Sequence, residues 1–405
     1  MNPSLPLEGV RVVEFVHIVM GPACGLVLAD LGAEVIKLEP TPDGDTTRRM
    51  LGTAAGFWAC FNRNKKSFAV DLKSPEGLAA VRALLATADV LVENFRPGAM
   101  EKLGLGYDDV KRLRPGIIYC SLKGFLPGPY EHRVALDEVV QMMGGLAYMT
   151  GPAGRPLRAG ASVNDIMGGM FGVIAILAAL RERERTGQGQ FVQSALFENN
   201  LFLVAQHMLQ FAVTGKAPAP MPDRISGWAI YDVLDTADHD RVFVAVVSDA
   251  QWKTFCEAFG LPELLADASL ATNNQRVLAR KRLFPVVSAH IRTRTKAEVV
   301  ALCEQNGLPY APIMNPAELF DDPHVKASDG LAAVTLPDGR KTGVPKLPFE
   351  MDGRRFGTRL DLPEVGRDTR ELLAELGYDE AAVAQLFAAG VVGGPPAPVS
   401  PPEIK

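Results

Sequence analysis

One carboxylate stands at the head of an apolar, glycine-rich run. In GASVNDIMGGMFGVIAILAALRERER, residues 160–185, Asp165 precedes fifteen uncharged residues, Ile166 to Leu180. Two uses of a carboxylate fit such a place. Asn164 or Asp165 can cap the helix that follows, because short polar side chains satisfy its free amides and complement its positive end. Alternatively, Asp165 can act as a nucleophilic carboxylate in apolar surroundings. The stretch alone leaves both open, and capping is the commoner use.

Other chemistry is sparse. Cys24, Cys60, Cys120, Cys256 and Cys303 are odd in number, scattered and free of any CxxC pair, so neither a zinc site nor a disulfide framework is expected and a reducing cytoplasm fits. His207, His290 and His324 stand alone, without metal-ligand spacing. After the first strand, HIVMGPACG supplies Gly21 and Gly25 but not the GxGxxG spacing that brings backbone onto a pyrophosphate, and no Walker A loop is present. No metal, nicotinamide or flavin is expected.

The elements that position Asp165 begin with alternation. GVRVVEF (9–15) reads as a strand, PACGLVLADLG (22–32) as a small-residue helix and EVIKLEP (34–40) as a second strand. SPEGLAAVRALLATA (74–88) has a serine cap and a first-turn proline, and the strands DVLVENF (89–95) and GIIYCSLKGF (116–125) follow. This is an α/β pattern with a doubly wound parallel sheet that places ligands at the carboxyl ends of its strands. Helix is expected from Asp165 to about Gly215, broken at RERERTGQGQ and resumed from FVQSALFENN.

A chain of 405 residues exceeds one ordinary core, so more than one domain is expected. The assignment is a large domain over 1–214, a linker over 215–228, a small α+β domain over 229–306 and a second linker over 307–330. Residues 331–392 return to complete the large domain, and 393–405 form a proline-rich tail. A net charge of -5 argues against nucleic-acid or membrane-surface binding. The amino terminus lacks a secretory pattern, and the uncharged run at 166–180 is short of the roughly 20 residues that span a bilayer, so it is expected to be a buried helix.

Several blocks together resemble one family. LEGVRVVEF…GPACGLVLADLGAEVIKLEP, NRNKKSFAVDLKSPEG, ADVLVENFRPGAMEKLGLGYDD and RAGASVNDIMGG…LRERERTGQGQFV occur in the order found in class III CoA-transferases, the formyl-CoA transferase or CaiB/BaiF type. The resemblance runs from about residue 5 to residue 390. It implies a large Rossmann-like domain, a smaller α+β domain and an interlocked homodimer that handles acyl-CoA and a small carboxylic acid.

It also implies roles. Asp165 matches the family's catalytic aspartate, which attacks the donor acyl-CoA to form a mixed anhydride and then an aspartyl-CoA thioester that the acceptor acid resolves. His17, Ile18 and Val19 are matched to the thioester end of coenzyme A. Val70, Asp71, Leu72, Lys73, Asn94, Phe95, Arg96 and Lys102 border its nucleotide. Asp137, in RVALDEVVQ, falls at an acidic position near the thioester. Gly168 and Gly169 are read as residues that allow close helix packing.

The departures are informative. Val19 replaces a glutamine and Pro40 an arginine of formyl-CoA transferase, so an acceptor other than oxalate is expected, with Arg48 or Arg49 supplying the phosphate contact. Leu136 stands where α-methylacyl-CoA racemases of this family carry a histidine base, and His132 falls outside that position. The family's glycine loop is matched only by Ser226–Trp228. Succinyl-CoA as donor and a C4 or C5 diacid as acceptor are expected, with Arg133 as a candidate second cation. A CoA-binding but inactive subunit of a heteromeric transferase is the reading of a different class.

Overall fold

Residues 4–224 and 226–395 are described by a computed structural model. Six short apolar segments, β1 (Arg11–Phe15), β2 (Glu34–Glu39), β3 (Lys65–Val70), β4 (Val90–Glu93), β5 (Ile118–Lys123) and β6 (Phe191–Ala195), pair in parallel in the order 3-2-1-4-5-6. A two-residue strand, Val392–Gly393, closes the β3 edge in antiparallel register, with Val392 opposite Val70.

Strand alternation sends side chains to two cores. Val12, Val35, Val90, Ile118 and Cys120 pack under the helices Met20–Asp30 and Val163–Thr186. Val13, Phe15, Ile36, Phe68 and Tyr119 pack under Pro75–Ala86, Thr369–Glu375 and Glu380–Ala388 on the other face. The sheet is therefore doubly wound, as its alternating elements imply. Ser74 caps Pro75–Ala86 through the amides of Glu76 and Gly77.

The first face also buries charge. Lys65 pairs with Glu14 at 2.7 Å, Lys37 with Asp45 at 2.9 Å, and Glu39 with Arg48 at 2.7 Å. Burial lowers the Lys65 ammonium to about 8 although Glu14 opposes it. Such pairs cost desolvation and are held by geometry. Gly25 makes room for one of them, since a Cβ there would lie 1.8 Å from a Glu14 oxygen.

Two compact units are formed, residues 1–218 with 327–405 and residues 219–326. The smaller has its own sheet of β7 (Ile230–Asp235), β8 (Arg241–Val246) and β9 (Tyr310–Pro312), with Trp252, Phe255, Phe259 and Val287 in its core. In the larger unit, β10 (Leu331–Thr335) and β11 (Lys341–Pro345) form a hairpin.

Several elements differ from expectation. FVQSA is the strand β6 and helix begins only at Leu196; five residues are too few for periodicity to separate strand from helix. KKSFAV, not singled out as a strand, is β3. The linker expected over 307–330 carries β9. The Asp165 helix extends over 24 residues, long and apolar enough to cross a membrane by length and composition, yet Val173, Ile176 and Ala179 lie in the core. Of the expected tail, 396–405 lies outside the described residues.

Candidate active site

The strand order reverses between β1 and β4, and open α/β sheets bind ligands at such a point. There the segment after β1 meets the segment after β4. Asn94 accepts the His17 amide at 3.1 Å and donates to the His17 carbonyl at 3.0 Å, while the Phe95 ring lies 6.0 Å from the imidazole. Burial, with the Lys37 charge adding to it and Asp45 opposing, lowers the His17 pKa and keeps the ring neutral.

Ile18 adopts φ 65°, a costly conformation for a β-branched residue. A buried chain of contacts holds it. Its amide donates to Thr47 Oγ1 at 3.1 Å, Thr47 donates to Asp45 at 2.7 Å, Asp45 pairs with Lys37, and Lys37 Nζ donates to the Val16 carbonyl at 2.6 Å.

Asp165 reaches this turn through helix packing. A Cβ on Gly169 would lie 2.7 Å from the Met20 carbonyl oxygen, and one on Gly172 would lie 3.4 Å from Cys24 Sγ. The helices Val163–Thr186 and Met20–Asp30 thus run side by side in the same direction, their backbones in contact through glycine. One turn before Gly169 is Asp165; one turn before Met20 is the His17–Val19 segment. Gly168 and Gly169 are packing glycines, as expected.

The cap comes from elsewhere. Ser162 is the N-cap residue and makes no side-chain cap, and neither Asn164 nor Asp165 serves as one. Asp137 Oδ2 accepts the amides of Asn164 at 2.8 Å and Asp165 at 3.1 Å. Its Oδ1 accepts from Gln141. The Asp165 carboxyl makes no hydrogen bond with a described residue. Burial, reinforced by the Asp137 charge and opposed by Arg158, raises its pKa from 3.8 to about 7.

Other candidates are sorted by the same geometry. Lys73, Arg96 and Lys102 are exposed and form no ion pair with a described carboxylate. Asp71–Lys73 form the turn after β3, where Asp71 accepts the Lys73 amide at 2.9 Å. Val70 and Val19 are each 1% exposed, so what these two positions present outward is backbone rather than side chain. Asp137, expected near the thioester, lies beside Asp165 with its oxygens on the helix amides and Gln141.

Arg48, offered as a phosphate contact, is spent on Glu39 and stacks 3.6 Å over Trp58, and Arg49 donates to the Asp43 carbonyl. Arg133 lies 4.9 Å over the Tyr130 ring. His132 is exposed next to Glu131, and Leu136 is exposed with no group able to move a proton. Ser226–Trp228 is tied down within the small unit, where Asn273 donates to the Gly227 carbonyl at 2.9 Å. Arg158 escaped sequence reasoning; its only signal was a cation seven residues ahead of Asp165 in a glycine-rich loop.

The comparisons now bear on this arrangement. Residues 7–369 match CoA-transferase family III. The chain belongs to that family. It is 34% identical to succinyl-CoA:glutarate CoA-transferase of Mus musculus, over 96% of this chain and 90% of the relative. It is 32% identical to succinyl-CoA–D-citramalate CoA-transferase of Chloroflexus aurantiacus, over 96% of this chain and 99% of the relative. The crystal structure of a CaiB/BaiF family protein from Brucella suis is similar with a TM-score of 0.82 and 33% identity, covering 92% of this chain and all of that one. As a CoA-transferase, the chain must keep acyl activation energy while two carboxylic acids exchange places. A buried carboxylate without a hydrogen bond to any described residue, as at Asp165, is suited to that.

Proposed function

We propose that this transferase moves coenzyme A from succinyl-CoA to a short dicarboxylic acid, with Asp165 as the nucleophile. The observation that carries the reading is the division of labour between two aspartates. Asp137 caps the helix, so the Asp165 carboxyl is left without a hydrogen-bond partner among the described residues. The names of the relatives, which join succinyl-CoA to glutarate or citramalate, support the substrate class.

Asp165 attacks the thioester carbonyl, and the thiolate leaves to give a mixed anhydride. The thiolate then attacks the aspartyl carbonyl, releasing the donor acid and leaving an aspartyl-CoA thioester. The acceptor carboxylate repeats these steps in reverse. Each addition creates an oxyanion, and the helix Met20–Asp30 offers amides for it because Val19 provides no side-chain cap. His17 and Asn94 shape the thioester end, and Phe95 packs on that histidine. Ile18 presents its strained backbone there. Lys73, Arg96 and Lys102 pair with the phosphates, with Asp71 and Leu72 shaping the turn that carries Lys73.

The working form is a homodimer in the cytoplasm. Large apolar side chains exposed on the helices around Asp165 support the dimer, among them Phe202 at 69% and Val213 at 82%. Four of the five free cysteines are buried thiols, in keeping with a reducing compartment.

Trapping tests the nucleophile. Incubated with succinyl-CoA alone and then hydroxylamine, the protein should carry a hydroxamate on the peptide containing Asp165. Its appearance on another carboxylate would keep the reaction class and overturn the assignment. Exchange of a substrate α-proton without any adduct would favour a racemase instead.

A further inference from the structure

The loop that leads into the Asp165 helix holds a guanidinium whose bonding is incomplete. Arg158 Nε donates to the Ala159 carbonyl at 3.1 Å. Its two terminal nitrogens face carboxylates without bonding them: Nη2 is 3.9 Å from Asp137 Oδ1 and Nη1 is 3.6 Å from Glu138 Oε2. Two buried or nearly buried arginines of the large unit, Arg48 and Arg63, behave differently. Arg48 grips Glu39 at 2.8 and 2.7 Å, and Arg63 grips Asp30 at 3.2 and 2.6 Å.

The backbone beside Arg158 is nonetheless firmly placed. The amide of Ala159 donates at 2.8 Å to Gln141, a fully buried side chain that also donates to Asp137. A single carboxylate therefore connects the two groups of interest. Asp137 Oδ2 receives the Asp165 amide, and Asp137 Oδ1 lies opposite Arg158. Nucleophile and guanidinium are thus both neighbours of Asp137, and the Arg158 charge acts on the Asp165 carboxyl, opposing the rise of its pKa.

We propose that Arg158 binds the distal carboxylate of the acyl group under transfer, and so selects dicarboxylic over monocarboxylic substrates. The inference rests on the reading of Asp165 as the acyl acceptor and deepens it. A planar fork with free N–H groups matches a carboxylate in two parallel hydrogen bonds, and a site built for that partner discriminates against an analogue that lacks it. Glu138, which is 57% exposed, holds the guanidinium loosely in the free enzyme and turns to solvent when the substrate carboxylate arrives.

The test compares matched acceptors with the full-length protein: succinate against propionate, and glutarate against butyrate, each pair differing by one carboxylate. The wild type should favour the diacid in kcat/KM by about tenfold or more. Arg158→Gln should bring that ratio close to one, Arg158→Lys should restore part of it, and Glu138→Gln should raise it above wild type. A general structural role would lower both acceptors together and leave the ratio standing. If Arg158→Gln does not fold, the lysine and Glu138→Gln variants decide the matter by the same ratio.

Trapping of the Asp165 hydroxamate, run in parallel with succinyl-CoA and propionyl-CoA, separates the two levels of failure. Equal diacid preference in wild type and Arg158→Gln, with the adduct formed in both, overturns the role of Arg158 alone. Absence of any adduct from the wild type overturns the nucleophile, and the role of Arg158 falls with it.

Discussion

At the scale of the residue, Asp165 is tuned between two demands. Burial and the neighbouring Asp137 raise its pKa to about 7, so its anion is high in energy when it forms. A nucleophile must be ionised, so kcat/KM should rise with pH and level off above about 7. Stability carries the opposite sign. Between 3.8 and about 7 the folded chain holds this proton more tightly than the unfolded chain does, so this group's contribution falls as pH rises through that window. Asp165→Asn removes the cost. Turnover should drop on the order of 1,000-fold or more while CoA affinity is retained. The same variant should melt higher than wild type at pH 8, by about 1–3 kcal/mol of stability once solvent access to the carboxyl is allowed for. At pH 4 the advantage should shrink. Thermal melts at the two pH values, beside a rate profile, check both halves; a variant that melts lower at pH 8 would contradict the assigned environment.

At the scale of the element, the site depends on two helices touching along glycines. Alanine is the better helix former by about 1 kcal/mol, which taken alone would make Gly169→Ala stabilising. Here the new Cβ would lie 2.7 Å from the Met20 carbonyl oxygen and 3.1 Å from the Cys24 amide, both backbone atoms that cannot swing aside. Overpacking wins. The variant should lose about 1–3 kcal/mol in denaturant unfolding. It should also form the Asp165 adduct more slowly, because pushing the helices apart moves the carboxylate away from the His17–Val19 turn. A fall in stability with an unchanged adduct rate would show that the glycines serve packing alone. The buried set Lys37, Asp45 and Thr47 belongs to the same scale, since it holds that turn against the strain at Ile18.

At the scale of the whole molecule, residues far apart in sequence close the large unit. The Ser67 amide donates to Asp368 at 2.7 Å and the Ala69 amide to Thr369 at 3.2 Å, so the C-terminal segment locks the β3 edge. The same unit leaves Leu136 exposed, and Phe202, Leu209, Phe211 and Val213 exposed along the helix Leu196–Thr214. Apolar area on this scale is normally covered. Sedimentation should find twice the chain mass, with no dissociation at nanomolar concentration, as interlocked subunits require. A monomer that appears on dilution would count against the interlocked form.

Much of this could be read without coordinates, for local reasons. The β1 and β2 strands with the helix between them, and the capped helix at Pro75, follow from alternation, glycine and serine–proline signals that act within a few residues. Asp165 was legible through its setting at the head of an apolar run and through family resemblance. What stayed hidden depended on partners distant in sequence. The short strands β3, β6 and β9 are defined by the neighbours they pair with. The capping role went to Asp137, 28 residues before the amide of Asp165, and no spacing rule links those two positions. Arg48 and Arg133 were the cations the sequence offered and Arg158 was passed over, but packing places Glu39 and Trp58 against the first and Tyr130 against the second. Sequence alone therefore pointed to the reaction class, and it offered Asp165 as the candidate for its centre. Only the tertiary structure decided that Arg48 is bound by Glu39 while Arg158 stops short of hydrogen bonds to Asp137 and Glu138, because that is a matter of which side chains meet in space.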